Sequence, residues 1–477
     1  MQTDLGIVDQ DNIGVFDEGE KIRFVHAKIV KQRKPQIEKF ERLLAELELA
    51  MERKKNLDEE KKLTILKKVR IIGMTITGAA IHRSLLKKLA PKVVIVEEAA
   101  EILEPALLAA LSSATQHLIL IGDHKQLRPS VETFELRKKC QFDVSMMERL
   151  INCGFPFKAL KKQNRMRPEF SKLLLDIYPE LEDNLEFVLK NKPLPFMDKS
   201  MFFWTHSFPE DNSASNLQSR SKTNFKEADM VVALAVFFQK RGIKPTDITI
   251  LTPYLGQTKV LRQKLRDAKE KYHLFSDQTV SVQTIDMYQG DENEYVIVSL
   301  VRSCVDSIGF LNTINRRCVA QSRSKSGLYF VGNAVTLATL TKKGKSFDTV
   351  WKPLIQGMRE VDCVSSDIPI HCPDHPMISR HLVRDGNAMT SLLDNLAKFC
   401  QVRCGKTMPC AIAEHNCDKS CSPKHEHSKC EKFVDEKFAG NNFHQNNQNF
   451  SVTLSNSKLI FSLKHHMFLK QSKVHQN

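Results

Sequence analysis

Two adjacent carboxylates, Glu97 and Glu98, stand at the end of a short β-branched run, residues 93–96. A second apolar run, residues 118–121, ends in Gly122-Asp123-His124-Lys125-Gln126. Runs of this kind suit parallel strands covered on both faces, and the helical pattern between them suits the crossover. In open α/β sheets, ligands bind off the carboxyl ends of the strands. Acidic side chains at one strand end can hold Mg²⁺ and orient a water, while a glutamine at the next can sense a terminal phosphate. That is the chemistry of nucleotide hydrolysis.

A second chemistry sits near the C-terminal end. Cys400, Cys404, Cys410, His415, Cys417, Cys421, His425, His427 and Cys430 fall within one short stretch. Zn²⁺ takes four thiolate or imidazole ligands, and closely spaced pairs let one knuckle supply two of them. The nine candidates suffice for two sites, and a 400–430 segment is expected to fold on zinc. His371, Cys372 and His375 also cluster, although His-Cys-x-x-His is by itself a weak ligand pattern.

The elements that must position these groups come from a chain of 477 residues, 42% hydrophobic, enough for sizeable cores in several domains. The net charge of +15 favours a polyanionic partner. No apolar run is long enough to cross a bilayer as a helix, and the first residues lack the plan of a signal peptide. Eight of the 12 cysteines fall at or after Cys363, which points to a local metal site in a reducing compartment rather than a disulfide framework.

Residues 1–32 carry no readable motif. Beyond them Ile37, Phe40, Leu44, Leu47 and Met51 make a narrow stripe on a long charged helix, suited to a helical hairpin or short coiled coil. Residues 69–80 read as a strand and a glycine-containing loop, with Thr75 and Thr77 alternating with apolar residues. Gln163-Asn164-Arg165-Met166-Arg167-Pro168 precedes a helical pattern, and arginine suits charge on a transferring phosphoryl group. A Ser/Asn/Gln-rich loop over 205–225 leads to a helix over 225–241, then to a strand ending in Pro253-Tyr254. Residues 280–285 alternate as a strand does, Gln289-Gly290-Asp291-Glu292 follows, and residues 295–300 form another buried strand.

In this order the motifs resemble those of superfamily 1 helicases, in the branch of the up-frameshift RNA helicases, over residues 71–335. The trailing His-x-Cys-x-x-x-Cys resembles the NFX-type zinc finger, and the combination is similar to helicases that carry such fingers. The resemblance implies an α/β fold of two RecA-like P-loop NTPase lobes with parallel sheets, plus a small Cys/His zinc-binding module. It implies ATP, Mg²⁺ and Zn²⁺ as cofactors. Glu97 takes the metal role, Glu98 the base role and Gln126 the γ-phosphate sensor role, all from lobe one. Arg165 and Arg323 are the γ-phosphate arginines, from lobe two. Gly122, Asp123, Gln289, Gly290 and Glu292 line the nucleotide, and Thr75, Thr77, Pro253 and Tyr254 touch nucleic acid. Glu97 departs from the usual aspartate, and Gln321 and Ser324 depart from V-A-L-S/T-R-A-K/R around Arg323.

The implied organisation is a charged helical arm (1–70), a partial first lobe (71–157), a second lobe (158–356), a Cys/His-rich NFX-type zinc finger (370–430) and a disordered tail (431–477). The implied activity is ATP-dependent work on single-stranded RNA, in surveillance or small-RNA silencing, with RNA-silencing or RNA-granule partners and no membrane. The expected location is intracellular, in cytoplasmic granules or the nucleus. The phosphate-cradling G-x-x-x-x-G-K-S/T loop of such enzymes does not occur in the sequence. Either the chain is the remainder of a longer helicase, or it is a degenerate relative. A non-catalytic zinc-finger RNA scaffold is the alternative, and an interaction module for ubiquitin transfer a third reading.

Overall fold

A computed structural model describes residues 17–211, 221–274, 277–342, 345–403, 421, 451–455 and 458–462. The chain divides into two compact units, Met1–Gly122 with Pro129–Leu150, and Asp123–Arg128 with Ile151–Asn477.

The first unit opens on helix α1 (Glu18–Leu66). Asp17 caps it, accepting from the Glu20 amide at 2.8 Å, while the Glu20 carboxylate accepts from the Asp17 amide at 3.2 Å. This reciprocal box satisfies two of the orphan donors of a helix start. No described residue of α1 is buried, and Phe40 is 66% exposed, so the expected hairpin or coiled-coil packing of the apolar stripe is not formed among the described residues. α1 meets α3 (Arg83–Leu89) at Glu59, which accepts from Ser84 Oγ at 2.8 Å and pairs with Lys88 at 3.3 Å.

The strand expected over 69–80 is also absent. Residues 69–75 are irregular, and Thr75 instead caps α2 (Ile76–Ile81), its hydroxyl accepting from the Gly78 amide at 3.1 Å. A β-branched run without a neighbouring strand cannot satisfy its backbone as a ladder, whereas a threonine hydroxyl readily caps a helix.

β1 (Val93–Val96), α4 (Glu104–Ala110) and β2 (His117–Leu120) form a parallel strand–helix–strand unit in the register Val93↔His117 to Val96↔Leu120. Val94, Val96, Leu118 and Leu120 pack with Ala99, Leu107 and Met146. The opposite face is open, with Val93 51% and Ile95 63% exposed. The expectation of strands covered on both faces is thus corrected to one covered face among the described residues. α5 (Phe134–Cys140) and α6 (Met146–Asn152) follow.

The second unit is built on one six-stranded, wholly parallel sheet. Short β3 (Lys162–Gln163) and β4 (Glu182–Asp183) pair beside α7 (Pro168–Ser171) and α8 (Leu185–Val188). The sheet then takes β5 (Met201–Thr205), α9 (Phe225–Lys240), β6 (Ile248–Thr252), α10 (Leu255–Lys271), β7 (Ser281–Thr284) and β8 (Asn293–Ser299). It continues through α11 (Ile314–Gln321), β9 (Ser324–Gly332), α12 (Ala334–Ala338), the hairpin β10 (Thr339–Lys342) and β11 (Lys345–Asp348), α13 (Lys352–Glu360) and β12 (Val364–Ser365). The spatial order is β12-β5-β9-β8-β6-β7.

Alternation along each strand sorts its side chains between two cores. Phe202, Trp204, Ile250, Ile297 and Tyr329 face α9, while Met201, Phe203, Leu251, Val298 and Phe330 face the other side with Phe170, Val319 and Leu354. The antiparallel hairpin β13 (Ile368–Cys372) and β14 (His375–Val383), with α14 (Gly386–Asp394), closes over the α9 face. A further hairpin, β15 (Ser451–Ser455) with β16 (Lys458–Ser462), lies in the stretch expected to be disordered.

Candidate nucleotide site and metal centre

Glu97 and Glu98 leave the carboxyl end of β1 in a tight turn, Glu97 exposed and Glu98 half-buried. Glu98 is left-handed, at φ 51°, a conformation that L-residues pay to adopt and that clusters at functional sites. The turn is tied to β2, because the Ala99 amide donates to Ile121 at 2.9 Å and the Ile121 amide to Val96 at 2.8 Å. Gly122 is required by space. A Cβ there would lie 2.9 Å from the Ala99 nitrogen and 3.1 Å from that of Ala100.

In the second unit, Asp123–Arg128 is held from several directions. Tyr178 donates its hydroxyl to Asp123 Oδ2 at 2.6 Å. Asn315 Nδ2 donates to the carbonyls of Lys125, at 3.1 Å, and Gln126. The Leu127 amide donates to Gln289 Oε1 at 3.0 Å. Gln126 Nε2 donates to Asp123 Oδ2 at 3.0 Å, which leaves its Oε1 to accept from Arg323 Nη2. Gln126 was expected from the first lobe, yet its contacts belong to the second unit.

Arg323 is 1% exposed and also donates to the carbonyls of Val319, at 3.3 Å, and Asp291, at 3.4 Å. The departures beside it find partners in part, since Gln321 Oε1 is buried without one among the described residues. Gln321 Nε2 donates to Leu173 O at 3.2 Å, and Ser324 Oγ donates to Gly327 O at 2.6 Å. Arg165 pairs with Glu292 and donates Nη1 to Ser322 O at 3.1 Å. Glu292 also meets Lys325 at 2.8 Å. Burial works against its charge, but hydrogen bonds from Lys325 and Arg165 hold its carboxyl below the usual range. Gly290 sits at φ 84° with nothing near its would-be Cβ, so it serves conformation rather than space.

Asp123, Gln126, Arg165, Tyr178, Glu292 and Ser322 share the lining of one cavity of about 470 Å³. The remaining expected residues lie elsewhere. Thr75 and Thr77 are exposed at the start of α2, and Pro253 and Tyr254 are buried at the end of β6. Burial raises the Tyr254 phenol to about 12. Tyr178, Asn315 and Lys325 are site residues that the motif reading missed. A tyrosine ten residues past Pro168 gives no chemical signal until the chain folds.

The metal candidates are redistributed. Cys400 and Cys421 meet Cys372 and His375, with all four ligand atoms within 4.8 Å of one another. Cys404, Cys410, His415, Cys417, His425, His427 and Cys430 lie outside the described residues. Among the described residues, Cys372 and His375, the weak pattern, thus stand with Cys400 and Cys421 at the β13–β14 turn.

A parallel α/β sheet thus brings Arg165 and Gln126, the latter held by Arg323, to one cavity, and sequence comparison names the class of protein. Residues 10–133 and 142–335 match two families, each described as an AAA domain. The chain belongs to the up-frameshift-like family of superfamily 1 helicases. It is 39% identical over 389 residues to human NFX1-type zinc finger-containing protein 1, covering 80% of this chain and 19% of that relative. It is 37% identical to the Schizosaccharomyces pombe helicase required for RNAi-mediated heterochromatin assembly 1, covering 57% of this chain and 27% of that one. It is 30% identical to a Neurospora crassa regulator of nonsense transcripts 1 homolog, over 59% and 26%. The chain therefore spans about a fifth of the human relative's length. Among the described residues no helix is long and apolar enough to cross a membrane.

Proposed function

We propose that this chain is the motor region of an ATP-driven helicase acting on single-stranded RNA. The carrying observation is one cavity lined by Arg165, Asp123, Glu292 and Gln126, the last held by buried Arg323 behind it. The residue types suit a nucleotide with Mg²⁺: guanidinium groups for phosphate charge in the second unit, and carboxylates at a strand end in the first. Bound Mg²⁺ would supply charge neutralisation on the phosphates. Glu97 would hold the ion. Glu98, fixed by its left-handed turn, would orient the attacking water and take its proton. Arg165 and Arg323 would stabilise charge developing on the terminal phosphoryl group, and Gln126 would report its presence through its bond to Arg323. Residues 71–157 and 158–356 serve as the two lobes in this reading, and Thr75 and Thr77 as exposed nucleic-acid contacts.

The names of the relatives support RNA silencing or surveillance inside the cell as the setting, in granules or the nucleus, with proteins of those pathways as partners. The +15 charge supports a phosphate-dominated grip on RNA. Binding to a labelled single strand should then be largely indifferent to sequence. Affinity should fall about tenfold or more as salt rises severalfold, because each phosphate contact releases counterions. Affinity unmoved by salt would rule this grip out. A non-catalytic RNA-binding scaffold is the second reading, favoured by the missing phosphate-cradling motif.

A further inference from the structure

We propose that Cys372, His375, Cys400 and Cys421 bind one structural Zn²⁺ that clasps the segment after the sheet onto the second unit. The clasp would be part of that unit, not an autonomous finger. Cys372 ends β13 and His375 begins β14, so the turn between them presents two ligands from one side. Cys400 follows Phe399, which is buried and packs its ring against Phe237 of α9 at 5.8 Å. Cys421 is brought back by its amide, which donates to Val402 O at 2.8 Å.

The spacing fits zinc, and the sulfurs are not joined as a disulfide. Cys372 Sγ lies 3.6 Å from Cys421 Sγ and 3.8 Å from His375 Nδ1, and Cys400 Sγ lies 3.4 Å from that nitrogen. A tetrahedral ion with Zn–S bonds of ~2.3 Å sets its sulfurs about 3.8 Å apart. A disulfide needs ~2.05 Å. Three buried thiols and an imidazole are a soft donor set that suits Zn²⁺ and disfavours Mg²⁺ or Ca²⁺. With three thiolates the centre would carry one net negative charge. Arg241, the C-cap of α9, stacks over Phe399 at 4.7 Å, beside Cys400, which places a compensating cation near the cluster. Asp374 stands 3.6 Å from Cys421 and is the nearest competing oxygen ligand.

All three cysteines belong to the apolar core that includes α9 and the sheet. Metal binding should therefore stabilise the whole unit. The test measures zinc per chain in the intact protein and in Cys372→Ser and His375→Ala, with exposed Cys153→Ser as control. Each ligand variant should lose about one zinc per chain relative to the control and melt at lower temperature. Unchanged zinc content in both would overturn the proposal. His375→Cys guards against simple misfolding. It should keep its metal, and its cobalt-substituted form should shift the ligand-field spectrum relative to the cobalt-substituted parent. Identical spectra would show that residue 375 is not a ligand.

Discussion

Cys318 lies buried beneath the Tyr178 hydroxyl, 3.0 Å away, on the wall behind Asp123. Burial pushes its thiol up to about 11, against an ordinary value of 9.0. The folded pKa is the higher one, so the unfolded chain loses this proton first as pH rises. The associated stability is complete below about 9 and is lost as pH climbs towards 11. At neutral pH the thiol is protonated and shielded. Alkylation of the native chain should therefore modify exposed Cys140, Cys153 and Cys304 and spare Cys318 until denaturant is added, as peptide mapping can check. Rapid native labelling of Cys318 would contradict the packing behind the site. At this scale Arg165 and Gln126, which the fold brings to one cavity, were legible by type within their motifs, while their roles belong to the proposal. Tyr178 and Asn315 were not, since their role comes from contacts with Asp123–Arg128 made only in the folded chain.

The start of α9 shows how the elements hold the sheet. Asn224 caps the helix, accepting from the Glu227 amide at 3.0 Å. Glu227 is wholly buried, accepts from Ser299 Oγ and from the Val301 amide at 2.8 Å, and lies 2.9 Å from His206 Nε2. One carboxylate thus joins α9, the end of β8 and the end of β5. Glu227→Gln would turn one acceptor oxygen into a donor facing donors. It should cost on the order of 1–3 kcal/mol in denaturant unfolding, and unaltered stability would show that the network is dispensable. The strands of this sheet were legible because alternation or an unbroken apolar run marks a paired, buried strand. Residues 69–75 show the same β-branched chemistry without a partner strand, and there local pattern misled. The open face of β1 and β2 has the same lesson, since burial of a strand is decided by what covers it and not by its own residues.

At the scale of the molecule, the residues proposed for catalysis are present while a phosphate-cradling sequence is not. Positioning supplies most of phosphoryl transfer, since the terminal phosphate must be held in line before an acid, base or arginine can act on it. In the proposed reading Glu98, Arg165 and Arg323 would each act on a phosphate already held, and none would replace a loop of backbone amides with its lysine. The chain as given should therefore show little ATPase activity with or without RNA, measured as phosphate release, while keeping salt-sensitive RNA binding. In a longer form bearing G-x-x-x-x-G-K-S/T, turnover should appear, and Glu98→Gln should lower it by orders of magnitude with nucleotide binding nearly intact. That variant removes the base and leaves the grip. Robust RNA-stimulated turnover by the present chain would mean that groups other than such a loop hold the phosphates. Undiminished turnover of Glu98→Gln in the longer form would move the base to another residue, with Glu97 on the same turn as the first candidate.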